Sequence, residues 1–398
     1  MQVYRYRWIV LLMFFLVNVI SNILWTTYPP VTTHAMQFYG VDEFLVILLS
    51  LIFLVVFIPV TFLAAWLIDK YEFKIGASIG AVIMGVFGFL RFIADNNYIL
   101  ALTFSIGIAI AQPFLLNTIT KLSANWFPET ERTTATGISL IGTGLGVALG
   151  MVMTPIIVMN LNFRSMLLIY GILALISSTL FVIFAKNKPL TPPSPNFAIE
   201  KISMVKGFKL LFSNRNFIIL VVIFSLAMGI FNMITTYIEL IIIPRGFDSL
   251  FGGILGMLLL IGGIAGTLLF SFLSDKLNQR KFIMASSLTI AAVSLLVFSF
   301  SYDALLLMIS ITFFGFGLGG ASPVVLEYAV DATKPVPEEN SNGILMIGGA
   351  IGGIILIISL ENVKISGDYF PALIIQTILL IVSIILTLFL MEIKARES

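Results

Sequence analysis

Apolar residues run along this chain in long blocks, and polar ones collect in the short gaps between them. Twelve blocks reach the length of a membrane-crossing helix, at roughly 8–33, 43–68, 75–94, 98–121, 133–159, 164–185, 216–243, 250–274, 282–301, 303–330, 342–362 and 370–392. A helix needs about 20 apolar residues to cross a hydrocarbon layer of about 30 Å, and it must satisfy its own backbone there. The pattern therefore predicts an all-α membrane protein with twelve transmembrane helices. The first block is long enough to span and shows no small-residue cleavage site, so it reads as a span and not as a cleavable signal.

Composition agrees: 59% of the 398 residues are apolar, 11% are charged, and the mean hydropathy is +1.09. Charge then fixes the expected topology. With both termini on the cytoplasmic side, 18 of the 22 Lys and Arg fall on that side, and only Arg91, Arg164, Arg245 and Lys364 fall on the other. This is the positive-inside distribution. The net charge of +2 thus reflects topology and gives no reason to expect a nucleic-acid partner. The chain has no cysteine, which excludes disulfides, thiolate metal sites and cysteine nucleophiles.

One gap is longer than the rest. Residues 186–215 begin KNKPLTPPSP and carry Lys186, Lys188, Lys201, Lys206, Lys209 and Arg215 against one acid, Glu200. They read as a basic cytoplasmic linker between six spans at 1–185 and six at 216–398. Its lysines suit a solvated surface facing anionic lipid, or alternatively a regulatory site. An internal repeat supports the division. LIDKYEFK after the second span matches LSDKLNQR after the eighth at an offset of 206, and GISLIGTGLG (137–146) lies over GILMIGGAIG (343–352) at the same offset. The glycines of the fifth and eleventh spans predict close helix contacts, either static or allowing one helix to slide on another.

Twelve spans, the six-plus-six repeat, the basic central loop and the repeated Asp–Lys segment together resemble the major facilitator superfamily. The family signature G-x-L-a-D-r-x-G-r-k appears as AWLIDKYEFK. Leu67, Asp69, Lys70 and Lys74 keep the pattern; Ala65, Glu72 and Phe73 depart from it. The resemblance implies two six-helix bundles that rock about a central site. It also implies gating by Asp69 with Lys70 and, in the second half, by Asp275 with Lys276. A narrower resemblance, to the feline leukaemia virus subgroup C receptor-related branch, rests on AQPFLLNTITKLSANWFPETERTTATGISLIG (111–142). Similar stretches lie at 7–28, 229–247 and 319–345. That branch implies choline or ethanolamine transport, with haem export also proposed. In its choline transporters an aromatic pair clamps the cation: a first-helix Trp and a seventh-helix aromatic, often Tyr.

SNILWTTYPP (21–30) sits where the first span should run. Asn22, Trp25 and Tyr28, three apart, predict one stripe facing a cavity, and Pro29 and Pro30 a break near the outer end. The alternative is an interfacial aromatic belt. The repeat offset carries Trp25 to Phe231 in the seventh span. Two facing rings suit a quaternary ammonium, although Phe231 lacks the phenol oxygen that the resemblance leads one to expect. Gln112, Asn117 and Asn232 are neutral hydrogen-bonding candidates for the same cavity.

Glu239 and Glu327 are carboxylates placed within spans. Glu239 is expected to offset a cationic substrate or carry a coupling proton, or else to lie at the interface. Glu327, in an LEYA context like that branch's acidic tenth-helix motif, is expected to gate with Arg132 or Lys121. Arg91 and Lys121 are expected to snorkel to the interface.

No HExxH and no GxxxxGK[ST] occurs, so neither an enzyme nor an ATP-driven pump is expected. No metal site and no cofactor are expected. The lone His34 gives haem little support. The reading is a transporter of a cationic or zwitterionic amine, with choline leading. Alternatives are a facilitator of another small metabolite, drug or haem, or a transport-inactive receptor. Expected partners are the small-molecule substrate and membrane lipid, with the chain working as a monomer in the cell membrane.

Overall fold

The computed structural model describes residues 4–189, 204–277, 279–363 and 368–391. Two compact units divide the chain, Met1–Ala198 and Ile199–Ser398. Unit 1 holds six spans: α1 Tyr6–Trp25, α2 Glu43–Ile68, α3 Phe73–Ile93, α4 Tyr98–Trp126, α5 Thr130–Asn160 and α6 Phe163–Phe184. Unit 2 holds α7 Arg215–Arg245, α8 Ser249–Leu277, α9 Arg280–Phe300, α10 Ala304–Ala332, α11 Asn340–Leu360 and α12 Phe370–Leu388. Part of the segment read as linker, Met204–Ser213, is itself helical and packs on α7 in unit 2.

Each even-numbered helix needs an acceptor for its first free N–H groups. All six have a side-chain acceptor at or just before their start, and these form three pairs, each 206 residues apart between the two units. Asp42 accepts from Leu45 N and Asp248 from Phe251 N, opening α2 and α8. Asn97 accepts from Leu100 N and Asp303 from Leu306 N, opening α4 and α10. Asn162 accepts from Ser165 N and Asp368 from Phe370 N, opening α6 and α12. All six even-numbered helices are therefore capped, and the repeat is written in caps as well as in glycines. We call the end of each unit where these caps sit its far end.

The helices pack in the same order in both units. α1 lies on α5 and α6, and α7 lies on α11 and α12. Glycine permits the closest of these contacts: a Cβ on Gly146 would collide with the Val19 carbonyl, and one on Gly352 with the Ser225 carbonyl. Phe14, Phe53, Phe73 and Phe181 fill the core of unit 1. Leu268, Phe272, Val293, Ile99 and Leu388 are among many exposed apolar residues on the helix surfaces, as a lipid-facing surface requires.

Two expectations need correction here. The first span does not run to residue 33. α1 ends at Trp25, and the chain continues through a 3-10 turn at Pro29–Val31 into a short helix, Thr32–Tyr39, closed by Gly40 in the left-handed region. The ending precedes the prolines because Thr26 and Thr27 turn their hydroxyls back onto the carbonyls of Asn22, Ile23 and Leu24. Nor is LIDKYEFK a free loop. Helical hydrogen bonding continues unbroken from Glu43 to Ile93. Positions eight apart on a straight helix lie about 12 Å apart, yet a Cβ on Gly76 would strike Ile68. The chain therefore reverses within a tight helical turn between α2 and α3.

Candidate functional site

Of the ten residues in SNILWTTYPP, Trp25 alone is not buried. The others are consumed inside unit 1. Asn22 donates to the Asn18 carbonyl at 2.8 Å and to its Oδ1 at 3.2 Å. Asn18 in turn donates to the Ser139 carbonyl and to Thr143 Oγ1 on α5. Asn18 was missed by the sequence reading, although its four-residue spacing from Asn22 marks a polar pair on one helix face.

Tyr28 does not continue the Trp25 stripe, because the α-helix has ended between them. Its ring stacks on Phe163 at 6.3 Å, its hydroxyl lies 3.2 Å from that of Tyr39, and the Arg91 guanidinium sits 4.6 Å over its face. Burial, reinforced by the Tyr28 phenol beside it, holds the Tyr39 hydroxyl well above its ordinary pKa. Arg91 itself is a second correction. It does not snorkel. It is 1% exposed and donates from Nη1 to the Leu24 carbonyl at 3.1 Å.

Gln112 on α4 is 8% exposed and Asn232 on α7 is 6% exposed, and neither side chain makes a hydrogen bond among the described residues. Asn117 is committed elsewhere: it donates to the Thr61 carbonyl and hydroxyl, tying α4 to α2. In unit 2, Phe231 borders a cavity of about 190 Å³ between α7, α8 and α10. That is about six waters' share of liquid volume. Met228, Leu260 and Leu318 make it apolar, and Thr267 and Ser322 are its polar lining. Glu239 is fully buried at the α7–α8 contact and accepts from Ser249 Oγ at 2.5 Å.

The gating candidates divide. Lys70 lies over the rings of Trp66 and Tyr71, and Lys276 over Phe272; the side chain of Asp69 falls outside the described residues. Asp275 is exposed at the end of α8. Arg132 donates to the Phe127 carbonyl. Within unit 2, Glu327 lies 3.6 Å from Arg280, which also holds Asp331 at 2.6 Å. Within unit 1, Lys121 donates to the Ile68 carbonyl at 2.6 Å, closing the end of α2.

A family model of the Major Facilitator Superfamily matches residues 10–357 and, again, 261–397. The chain belongs to that superfamily. Solute carrier family 49 member A3 of Xenopus tropicalis is 30% identical over 378 residues, covering 91% of this chain and 78% of that one. The choline/ethanolamine transporter FLVCR2 of Homo sapiens is 27% identical over 378 residues, covering 90% and 72%. These relatives match the feline leukaemia virus subgroup C receptor-related branch of the superfamily. A bacterial homologue of the human lysosomal transporter Spinster, solved inward-facing and unoccupied, superposes with a TM-score of 0.76 at 12% identity over all of both chains. This facilitator is a multi-pass membrane transporter and not an enzyme.

Proposed function

We propose that this facilitator carries a small cationic or zwitterionic amine, with choline leading, by alternating access in the cell membrane, as a monomer with both termini cytoplasmic. The observation that carries the reading is Trp25. It is only partly buried where its nine neighbours in SNILWTTYPP are buried, and the resemblance to the choline-transporting branch leads one to expect a ring there. A ring face attracts a quaternary ammonium without needing an acceptor on it. Phe231 supplies the second ring. Gln112 and Asn232 supply hydrogen-bonding capacity that the bundle has not used. Glu239 lends negative charge from within unit 2, and Asn22 and Tyr28 support the clamp from behind. Asp69, Lys70, Arg132, Asp275, Lys276 and Glu327 serve the cytoplasmic gate.

The apolar lining beside Phe231 favours a second reading, a facilitator of a less polar metabolite. Thermal unfolding of the purified protein against choline, ethanolamine, betaine, amino acids, carboxylates and sugars separates the two. A ligand at 100 times its dissociation constant adds about 2.7 kcal/mol. Choline or betaine should raise the melting temperature in the parent and not in Trp25→Ala. A shift with uncharged solutes alone would replace the amine reading with the second one.

A further inference from the structure

Arg91, on α3, is a charge buried inside unit 1. A buried ionisable group in a span is costly and is retained where it acts. Arg91 makes no ion pair with a described residue, and the nearby Asp95 is paired with Arg164 at 3.5 Å. Its Nε and Nη2 are buried without a hydrogen-bond partner. The phenols Tyr28 and Tyr39 are hydrogen-bonded to each other, and Tyr28 offers Arg91 a ring face. What the guanidinium does hold is the last turn of α1. It binds the Leu24 carbonyl, one residue before Trp25, and covers Tyr28, three residues after it. A cation is favoured there because a helix C-terminus is the negative pole of its dipole and exposes unpaired carbonyls.

Trp25 is the last residue of α1. The turn that follows it is held from within by the Thr26 and Thr27 hydroxyls and from outside by α3 on both flanks. We infer that Arg91 is the positioning residue for Trp25: it locks the end of α1 so that the indole presents one fixed face. The proposal rests on the Trp25 reading for its link to substrate, but not for its structural half.

Two measurements on the full chain keep those halves apart. The first is fluorine NMR of protein labelled with 5-fluorotryptophan, with the Trp25 resonance assigned by its loss in Trp25→Phe. Arg91→Gln should move or broaden the Trp25 resonance and leave those of Trp8, Trp66 and Trp126 in place. Arg91→Lys, which can still reach the Leu24 carbonyl, should keep Trp25 near its parent shift. An unmoved Trp25, or four resonances moving together, would overturn the proposal. The second is choline uptake into proteoliposomes. Arg91→Gln should raise KM about tenfold with the maximal rate held within about twofold, and Arg91→Lys should restore most of it. A fall in maximal rate with KM unchanged would overturn the proposal while leaving the substrate reading intact. If Trp25→Ala leaves uptake unchanged, the substrate reading falls, and the NMR still decides the positioning role.

Discussion

The two units share a helix plan and differ in what fastens it. At the far end of unit 1, Arg91 on α3 reaches the end of α1. In unit 2, Arg245 at the end of α7 reaches the carbonyls of Phe298 and Ser301, at the end of α9. The same pair of helices is pinned by an arginine in both, but the arginine has changed sides. At the opposite end the contrast is sharper. Lys121 and Glu327 are 206 residues apart and carry opposite charge. Lys121 closes α2 by binding a carbonyl, whereas Glu327 joins an ion-pair cluster around Arg280. Midway, Thr61 and Thr267 hold equivalent positions. Thr61 receives the Asn117 side chain, while Thr267 donates to the Gly319 carbonyl at 2.9 Å. Duplication kept the backbone plan, and each half then found its own fastenings.

This comparison can be broken most forcefully at the glycines. α8 and α10 approach backbone to backbone: Cβ atoms on Gly266 and Gly315 would collide with the Phe316 and Leu259 carbonyls. The equivalent positions in unit 1 are Val60 and Ala109. Gly315→Ala should therefore cost about 2–3 kcal/mol through overpacking, read as a lower melting temperature in detergent. Ala109→Gly should cost about 1 kcal/mol or less. Equal effects would mean that the two halves pack alike after all.

Removing the side-chain tie of unit 1 should have a smaller effect. Asn117→Ala loses two hydrogen bonds to Thr61 and should cost about 1 kcal/mol. Combined with Thr61→Val, it should be clearly less than additive, since the two share one interaction. The smallest effect is expected at the charge cluster. The Glu327 side chain is 47% exposed, and Arg280 keeps Asp331 when Glu327 is lost. Glu327→Gln should therefore change stability by less than about 1 kcal/mol, and less still in high salt. A large, salt-independent loss would show that this pair is a fastening of the bundle and not a surface contact.

Much of this fold was legible in the sequence because lipid imposes length and apolarity on every span, and topology imposes charge on the gaps. The twelve spans and the repeat follow from those two constraints. The end of α1 did not follow, since an apolar count cannot see threonine hydroxyls folding back onto Asn22 and Ile23. Arg91 was misplaced for a related reason. Snorkelling is the default for a cation near a helix end, and only the fold brings Tyr28 and the Leu24 carbonyl to it. Within the site, Trp25 was legible as an aromatic at a repeat-related position. That Tyr28 and Asn117 are engaged inside the bundle, while Gln112 and Asn232 are not, depends on partners 11 to 56 residues away or on none, which helical spacing does not encode.

The central claim is that Trp25 presents a ring face to an amine. Uptake of labelled choline into proteoliposomes, parent against Trp25→Ala and Trp25→Phe, tests it most directly. The account predicts saturable uptake by the parent, near-complete loss with alanine and partial retention with phenylalanine, which keeps a weaker ring. Equal uptake by all three proteins would contradict it.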